Sequence, residues 1–317
     1  IFVFFDSCWD PAPMSGKQRA PKLGLHNSGW VQSPGVAVLQ DPKAWAEKKD
    51  YVQGILNQFR RHHNILAWDL WNEPDNNNAS SYGKLDIANK QKVVLPLVKQ
   101  VFAWAREMKP QQPLTAAPWA GDWSDPEKMT RLDRYLFDAS DIITFHRYEN
   151  LEHTKKSVEA LKRYGRPILC TEFMARPLGS TFEELLPYFK EHKIGATCWG
   201  FVSGKTQTIY PWDSWQKPYD AEPKVWFHDI LRSDGKPYDA KEVKFIKEMT
   251  GANVEVHLRF SVNEIDPRKP GDSFVECVIR NHSEKPVRVP AKYTGGYESD
   301  LMLHASSHGR DNIEYLR

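Results

Sequence analysis

Through about residue 250 the chain alternates short apolar runs with longer segments of helical period. Residues 1–5, 65–70, 114–117, 142–145, 168–170 and 196–199 read as strands, nearly continuous in apolar character as strands covered on both faces are. Between them, Asp41-Pro42 offers an N-cap followed by proline at the first helical position, and Trp45, Val52, Ile55, Leu56 and Phe59 then recur at three-to-four spacing. Val94, Leu97, Val98, Val101, Ala105 and Met108 form a second stripe, which Pro96 is expected to kink or restart. Asp125-Pro126 is expected to open a third helix and Gly165 to end one over residues 155–164. Ser180-Thr181-Phe182-Glu183 and Asp239-Ala240-Lys241-Glu242 read as capping boxes.

Six strands alternating with helices are the sequence image of a parallel sheet covered by helices, an α/β fold. A doubly wound sheet would serve, but no strand is followed by a glycine-rich phosphate loop. A (β/α)8 TIM-type barrel fits better, provided its first two β/α units are absent from this chain. After Gly251 the texture changes. Residues 254–262, 273–280 and 287–293 alternate as strands do, separated by turn clusters, which predicts a small antiparallel β module read as an incomplete β-sandwich. The expected domains are therefore residues 1–250 and 251–317.

Composition narrows the function classes. With 317 residues, 40% hydrophobic and 26% charged, the chain is long enough to bury a large core. Forty-three Lys and Arg against 41 Asp and Glu leave +2, without a basic run, so a nucleic-acid partner is not expected. No apolar stretch approaches the ~20 residues that cross a bilayer, and no membrane partner is expected. Cys8, Cys170, Cys198 and Cys277 lack metal-ligand spacing and read as buried free thiols. The chain starts at Ile1 inside an apolar run rather than at Met, which suggests a cut N-terminus; an export signal is expected to lie there, with an extracellular or periplasmic location.

Two carboxylic acids share one context, each just beyond an apolar strand: Glu73 in Trp71-Asn72-Glu73-Pro74 and Glu172 in Thr171-Glu172-Phe173. At the mouth of a β/α barrel such positions build active sites. Glycoside cleavage asks for such a pair, one carboxyl to protonate the leaving oxygen and one carboxylate to attack the anomeric carbon or activate water. His146 and Tyr148 follow the strand between the two acids, and Trp199 closes the next one.

These motifs together resemble the retaining glycoside hydrolases of clan A, most closely the cellulase- and mannanase-like family 5, over roughly residues 1–250; Asn-Glu-Pro is the most specific part. The resemblance implies that Glu73 ends barrel strand four as acid/base and Glu172 ends strand seven as nucleophile, so the six strands become strands three to eight. It further implies that Asn72 holds the sugar 2-hydroxyl, that Tyr148 touches the nucleophile, that His146 contacts the acid/base or a hydroxyl, and that Trp199 floors the cleaved sugar's subsite. An arginine that the family carries on the missing second strand has no counterpart here. The mechanism needs no metal or organic cofactor, and the expected partner is an oligo- or polysaccharide. Desolvation and the charge of Glu172 are expected to raise the Glu73 pKa, while Glu172 stays ionised with help from Tyr148. A non-catalytic sugar-binding protein on a degenerate barrel is the alternative.

Of twelve tryptophans, Trp45 and Trp104 sit in helical stripes and are expected to pack. Trp9, Trp30, Trp119, Trp123, Trp212 and Trp215 lie at strand exits or in loops, where flat rings suit the apolar faces of sugars. Asp6 and His26 are weaker candidates for subsite hydrogen bonds, with a structural role favoured. The sequence leaves the glycan, the endo or exo mode and the oligomeric state open.

Overall fold

The computed structural model describes residues 1–119 and 121–251, together with the backbone of two later strands. Two compact units are present, Ile1–Val243 and Lys244–Arg317.

In the first unit the order is β1 (Phe2–Val3), α1 (Val36–Gln40), α2 (Trp45–Phe59), β2 (Trp68–Asp69), α3 (Lys90–Glu107), β3 (Leu114–Thr115), α4 (Arg131–Ala139), β4 (Ile143–His146), α5 (Leu151–Leu161), β5 (Ile168–Glu172), α6 (Phe182–Glu191) and β6 (Gly195–Ala196), with α7 (Ala240–Thr250) beginning at its end. Strands β1, β2 and β3 pair in parallel, as do β4, β5 and β6. The two groups adjoin where Asp141 N–H donates to Leu114 O (2.7 Å) and Thr115 Oγ1 meets Ile142 O (3.0 Å) and Thr144 Oγ1 (2.7 Å). Spatial order thus follows chain order without the reversal that defines a doubly wound sheet; it is the order of a TIM-barrel wall.

The helices form because one face of each has an apolar wall to cover. In α3, Val94, Leu97, Val98, Val101, Trp104 and Ala105 are all buried, in one cluster with Val52 and Leu56 of α2 and Trp68 and Leu70 of the β2 segment. Burying each aliphatic side chain contributes about 1.5–3 kcal/mol. That sum explains why Pro96, expected to kink or restart the helix, lies inside α3 without ending it: a proline interior costs about 3 kcal/mol, less than the stripe gains.

The helix ends follow their local signals only in part. Asp41 caps a 3-10 turn before α2 by accepting from Lys43 N–H, and Gly165 ends the α5 segment at φ 61°, both as expected. The Asp125-Pro126 pair makes only a turn; α4 starts at the Thr130–Asp133 capping box, where a hydroxyl and a carboxylate satisfy each other's backbone N–H. In α6 the cap is Thr181 with Glu184, one position beyond the expected pairing. Glu242, read as part of a box, is buried and instead pairs with Arg176 at 2.6 Å. The helix expected over 155–164 begins earlier, at an Asn150 cap.

In the second unit β7 (Val254–Phe260) and β8 (Val275–Asn281) pair antiparallel, Val254 opposite Asn281. The third strand expected there, 287–293, lies outside the described residues. No described helix is long and apolar enough to cross a membrane.

Candidate functional site

The strand order delivers its carboxyls to one place. Glu73 leaves β2 in the left-handed region at φ 45°, a conformation that costs a non-glycine residue of order 1 kcal/mol and persists where surroundings enforce it. Here Glu73 N–H donates to Ala117 O (3.0 Å) and its carbonyl accepts from Asn76 N–H (2.9 Å), so the turn is pinned on both sides. The side chain is 5% exposed. Its Oε1 lies 2.6 Å from His146 Nδ1; its Oε2 accepts from Asn76 Nδ2 (2.7 Å) and from the Cys8 thiol (3.1 Å). Glu172, at the end of β5, accepts from Tyr148 OH at 2.5 Å and lies 3.5 Å from His146 Nδ1. Donor atoms of Glu73, His146 and Glu172 all fall within 4.8 Å of one another.

A pocket of about 250 Å³ opens over these groups. It is lined by Glu73, Glu172, Asn72 and Tyr148, and by the rings of Trp9, Trp119, Trp199 and Trp212. His146 is buried beneath, bridging the two acids. Trp30, expected among the sugar-facing rings, is not part of the lining: its Nε1 donates to Asp6 Oδ2 (3.0 Å) and its ring packs against Trp199 (5.6 Å). Asn72 Nδ2 reaches toward Asp6 (3.4 Å) and Cys8 (3.8 Å) at the pocket floor. Asp6 and His26, thought more structural, both line the pocket. Trp104 is buried in α3 and Trp45 packs partly against the same core.

Electrostatically the site differs from expectation at one residue. Burial raises Glu73 to about 7 against the pull of Cys8 and Asn76. Burial also raises Glu172, to about 8, with the Glu73 charge adding to it and His146 and Tyr148 opposing. A low, permanently ionised Glu172 is therefore not what this pocket presents, because one phenol donor does not offset desolvation beside a second carboxyl. Two acids this close share a proton near neutrality and titrate as a pair.

Several residues that the sequence reading missed build the support. Cys8, read as a bland thiol, is buried and kept protonated by desolvation and by the charges of Asp6 and Glu73. Asn76 Oδ1 accepts from Asn78 N–H (2.8 Å), and Asn78 Nδ2 donates to Asp86 Oδ2 (2.8 Å) and to Ser7 O (3.1 Å). Lys90, 3% exposed, closes the web on Asp86 (2.6 Å), Gln32 Oε1 (2.6 Å) and Ser7 O (2.8 Å). The Asn76-Asn77-Asn78 run was the available signal, since asparagine clusters hydrogen-bond nearby backbone.

The Glu73, His146 and Glu172 side chains could bracket a cation. Three of the four carboxylate oxygens already meet protein groups, namely His146, Cys8 with Asn76, and Tyr148, an arrangement suited to holding protons.

The two acids thus share a tryptophan-lined pocket at the strand ends of an α/β wall, the position where β/α barrels build their sites. The model of the cellulase family, glycosyl hydrolase family 5, matches residues 23–204, more than half of the chain, and the protein belongs to that family. Solved structures that match the chain include a β-glucuronidase from Bacteroides uniformis, 14% identical, with 69% of this chain and 27% of that one covered at a TM-score of 0.46. An endo-β-1,4-xylanase from Gloeophyllum trabeum is 14% identical over 72% of this chain and 74% of its own, TM-score 0.42. A β-1,4-mannanase from the sea hare Aplysia kurodai is 20% identical over 51% and 56%, TM-score 0.38. The chain thus spans about a quarter of the β-glucuronidase. No curated protein matches it.

Proposed function

We propose that the protein is a retaining glycoside hydrolase that cleaves β-glycosidic bonds by double displacement. The observation that carries this reading is the separation of the two acids, whose nearest donor atoms lie within 4.8 Å. Retaining enzymes hold their carboxyls about 5–5.5 Å apart, whereas inverting enzymes leave about 6.5–9.5 Å for a water. The six strands are assigned as strands three to eight of a (β/α)8 barrel.

In the first step a Glu172 oxygen attacks the anomeric carbon, forming a glycosyl ester as the glycosidic C–O bond breaks. Glu73 gives its proton to the departing oxygen. In the second step Glu73 takes a proton from water, the hydroxide attacks the same carbon, and the ester bond breaks to return Glu172 as carboxylate. Tyr148 holds Glu172 in line, Asn72 grips the 2-hydroxyl, and His146 passes between the acids the electrostatic consequence of each charge change. Trp199 supports the apolar sugar face. Catalysis needs the singly protonated pair, so activity declines below the first and above the second titration of the pair. Bound sugar displaces water and substitutes its own hydroxyl donors, and with them the proton settles on Glu73.

The test is turnover of aryl β-glycosides with proton NMR of the first-formed anomer, and digestion of the protein after a 2-deoxy-2-fluoro glycoside. Retention and a labelled peptide containing Glu172 are expected. Inversion, or label elsewhere, contradicts the assignment.

A further inference from the structure

Three loops meet over one side of the pocket, and each is tied to the other two. From the loop after β1, Trp9 N–H donates to Asn78 Oδ1 in the loop after β2, while Asn78 Nδ2 donates back to Ser7 O at 3.1 Å. From the loop after β6, Gln216 Nε2 donates to Ser80 O (2.9 Å), and the ring of Trp215 meets Tyr82 edge-on at 4.9 Å. The β1 and β6 loops are joined by Trp215 Nε1 to His26 O (2.9 Å), His26 N–H to Ser214 Oγ (3.1 Å) and Asn27 N–H to Thr206 O (2.8 Å). At Gly24 the two loops approach so closely that a side chain would collide with the Tyr219 backbone.

The two acids lie differently toward this seal. Tyr148, the partner of Glu172, packs its ring on Trp212 at 5.2 Å, so the nucleophile's neighbours belong to the sealed wall. Glu73 is followed by Asp75, whose carboxylate accepts from Trp119 N–H (2.7 Å) in the loop after β3. Trp119 lines the pocket, stands outside the three-loop seal and is 38% exposed. Two buried polar atoms on pocket-lining residues of this wall lack partners. His26 Nδ1 is engaged by Tyr210 O at 2.6 Å, which leaves the buried Nε2 as a lone-pair acceptor, and Ser81 Oγ has no partner either. Both residues line the pocket. The pocket's 250 Å³ falls below the ~300–1,000 Å³ of typical small-molecule sites, which suits one sugar ring.

We propose that the pocket is blind on the nucleophile's side and that the enzyme takes β-linked oligosaccharides by their non-reducing end. The terminal sugar sits against Trp9, Ser81 and Trp212, and the remainder of the chain leaves over Trp119. An end residue carries a free hydroxyl where an internal residue carries the next linkage, and a wall closed by three interlocked loops leaves that linkage no path. This inference rests on the hydrolase reading above and adds its substrate geometry.

The experiment compares cello-, manno- and xylo-oligosaccharides tagged at the reducing end, each with a free and with an O-methylated non-reducing end. The expected first products from free chains are an unlabelled monosaccharide and a tagged chain one unit shorter, with no cleavage of capped chains. Gln216→Ala and Tyr82→Ala, which loosen the seal without touching the pocket lining, are expected to raise the rate on capped relative to free chains about tenfold. Their turnover of aryl β-glycosides is expected to stay at the unaltered level. Internal cleavage of capped chains by the unaltered protein, with Glu172 labelled normally, overturns the blind pocket and leaves the hydrolase standing. Unchanged selectivity in both variants equally overturns the seal. Absence of turnover and of labelling on every substrate takes down both.

Discussion

Glu73 leaves β2 enclosed by donors from three directions, whereas Glu172 leaves β5 with Tyr148 as its close hydroxyl donor and His146 a longer 3.5 Å away. Behind Glu73 stand Asn76, Asn78, Asp86 and Lys90, a polar web that fixes the carboxyl's position atom by atom. Behind Glu172 the contacts are rings: Tyr148 against Trp212 and His228. The contrast matches the two roles proposed for these acids. A group that gives and takes a proton must keep the same geometry in both charge states, which a multi-donor web achieves. A group that becomes covalently bonded to a sugar must be approachable along one line, with little in front of it.

The sharpest break between the halves is replacement of each acid alone. Glu172→Gln is expected to abolish turnover of every glycoside, since no bond to carbon can form. Glu73→Gln is expected to lower turnover by about 10²–10⁴ on poor leaving groups, the usual worth of a general acid, and far less in the first step on dinitrophenyl glycosides that need no proton. Equal losses on both leaving-group classes would show that the two roles are not divided this way. Next in size is the support behind Glu73. Lys90 and Asp86 pair at 2.6 Å with both side chains 2% exposed. Lys90→Met strands a buried carboxylate and is expected to cost about 3–5 kcal/mol in urea unfolding, with part recovered by the double change Lys90→Met and Asp86→Leu. A loss below 1 kcal/mol, the range of exposed pairs, would remove the web from the account.

Strand ends and the residues on them were legible because they follow from period and position. An apolar run fixes a strand, and the polar residue just after it must face the mouth, so Glu73, His146, Tyr148 and Glu172 could be placed together from the sequence. Cys8 and Lys90 could not. A cysteine beside a tryptophan in a loop and a lysine opening a helix have ordinary solvent or core readings, and only the tertiary path of residues 7–34 over the β2 exit brings them to Glu73. Pro96 shows the same limit in reverse: the local rule is sound, and the buried stripe of α3 outweighs it. Trp30 was drawn to the pocket by its loop, yet its indole N–H is held by Asp6.

The raised acids have a cost that pH can expose. Besides Glu73 and Glu172, burial raises Asp69 and Asp75 to about 7. From roughly pH 4, where free carboxyls ionise, up to about pH 7–8, the folded protein holds protons that the unfolded chain has released. Stability contributed by these groups is thus full at low pH and is lost as pH rises through the folded values. Unfolding free energy is expected to fall between pH 5 and 8, and Glu172→Gln, which keeps the shape without the titration, to be more stable than the unaltered protein at pH 8 by on the order of a few kcal/mol. A flat difference between the two across that range would mean that Glu172 is not held protonated by its surroundings.

The smallest expected effect tests the donor set around Glu73 most finely. The Cys8 thiol lies 3.1 Å from Oε2, and burial beside Asp6 and Glu73 keeps it protonated, so it acts as a donor that favours the charged form of Glu73. His146, Glu172, Asp6 and Lys90 also face this carboxyl and stay in place in the variants. A neutral hydrogen bond contributes about 1 kcal/mol, and one pKa unit is 1.36 kcal/mol. Cys8→Ala is therefore expected to move the alkaline limb of the kcat profile upward by somewhat under one unit, because Glu73 then holds its proton more tightly. Cys8→Ser, with a hydroxyl in the same place, is expected to return the limb to its original position or below. An alanine variant whose activity drops at all pH values alike, with both limbs unmoved, would reduce Cys8 to a packing residue. A limb that follows the donor and ignores the volume change shows that the web on the β2 side tunes the proton.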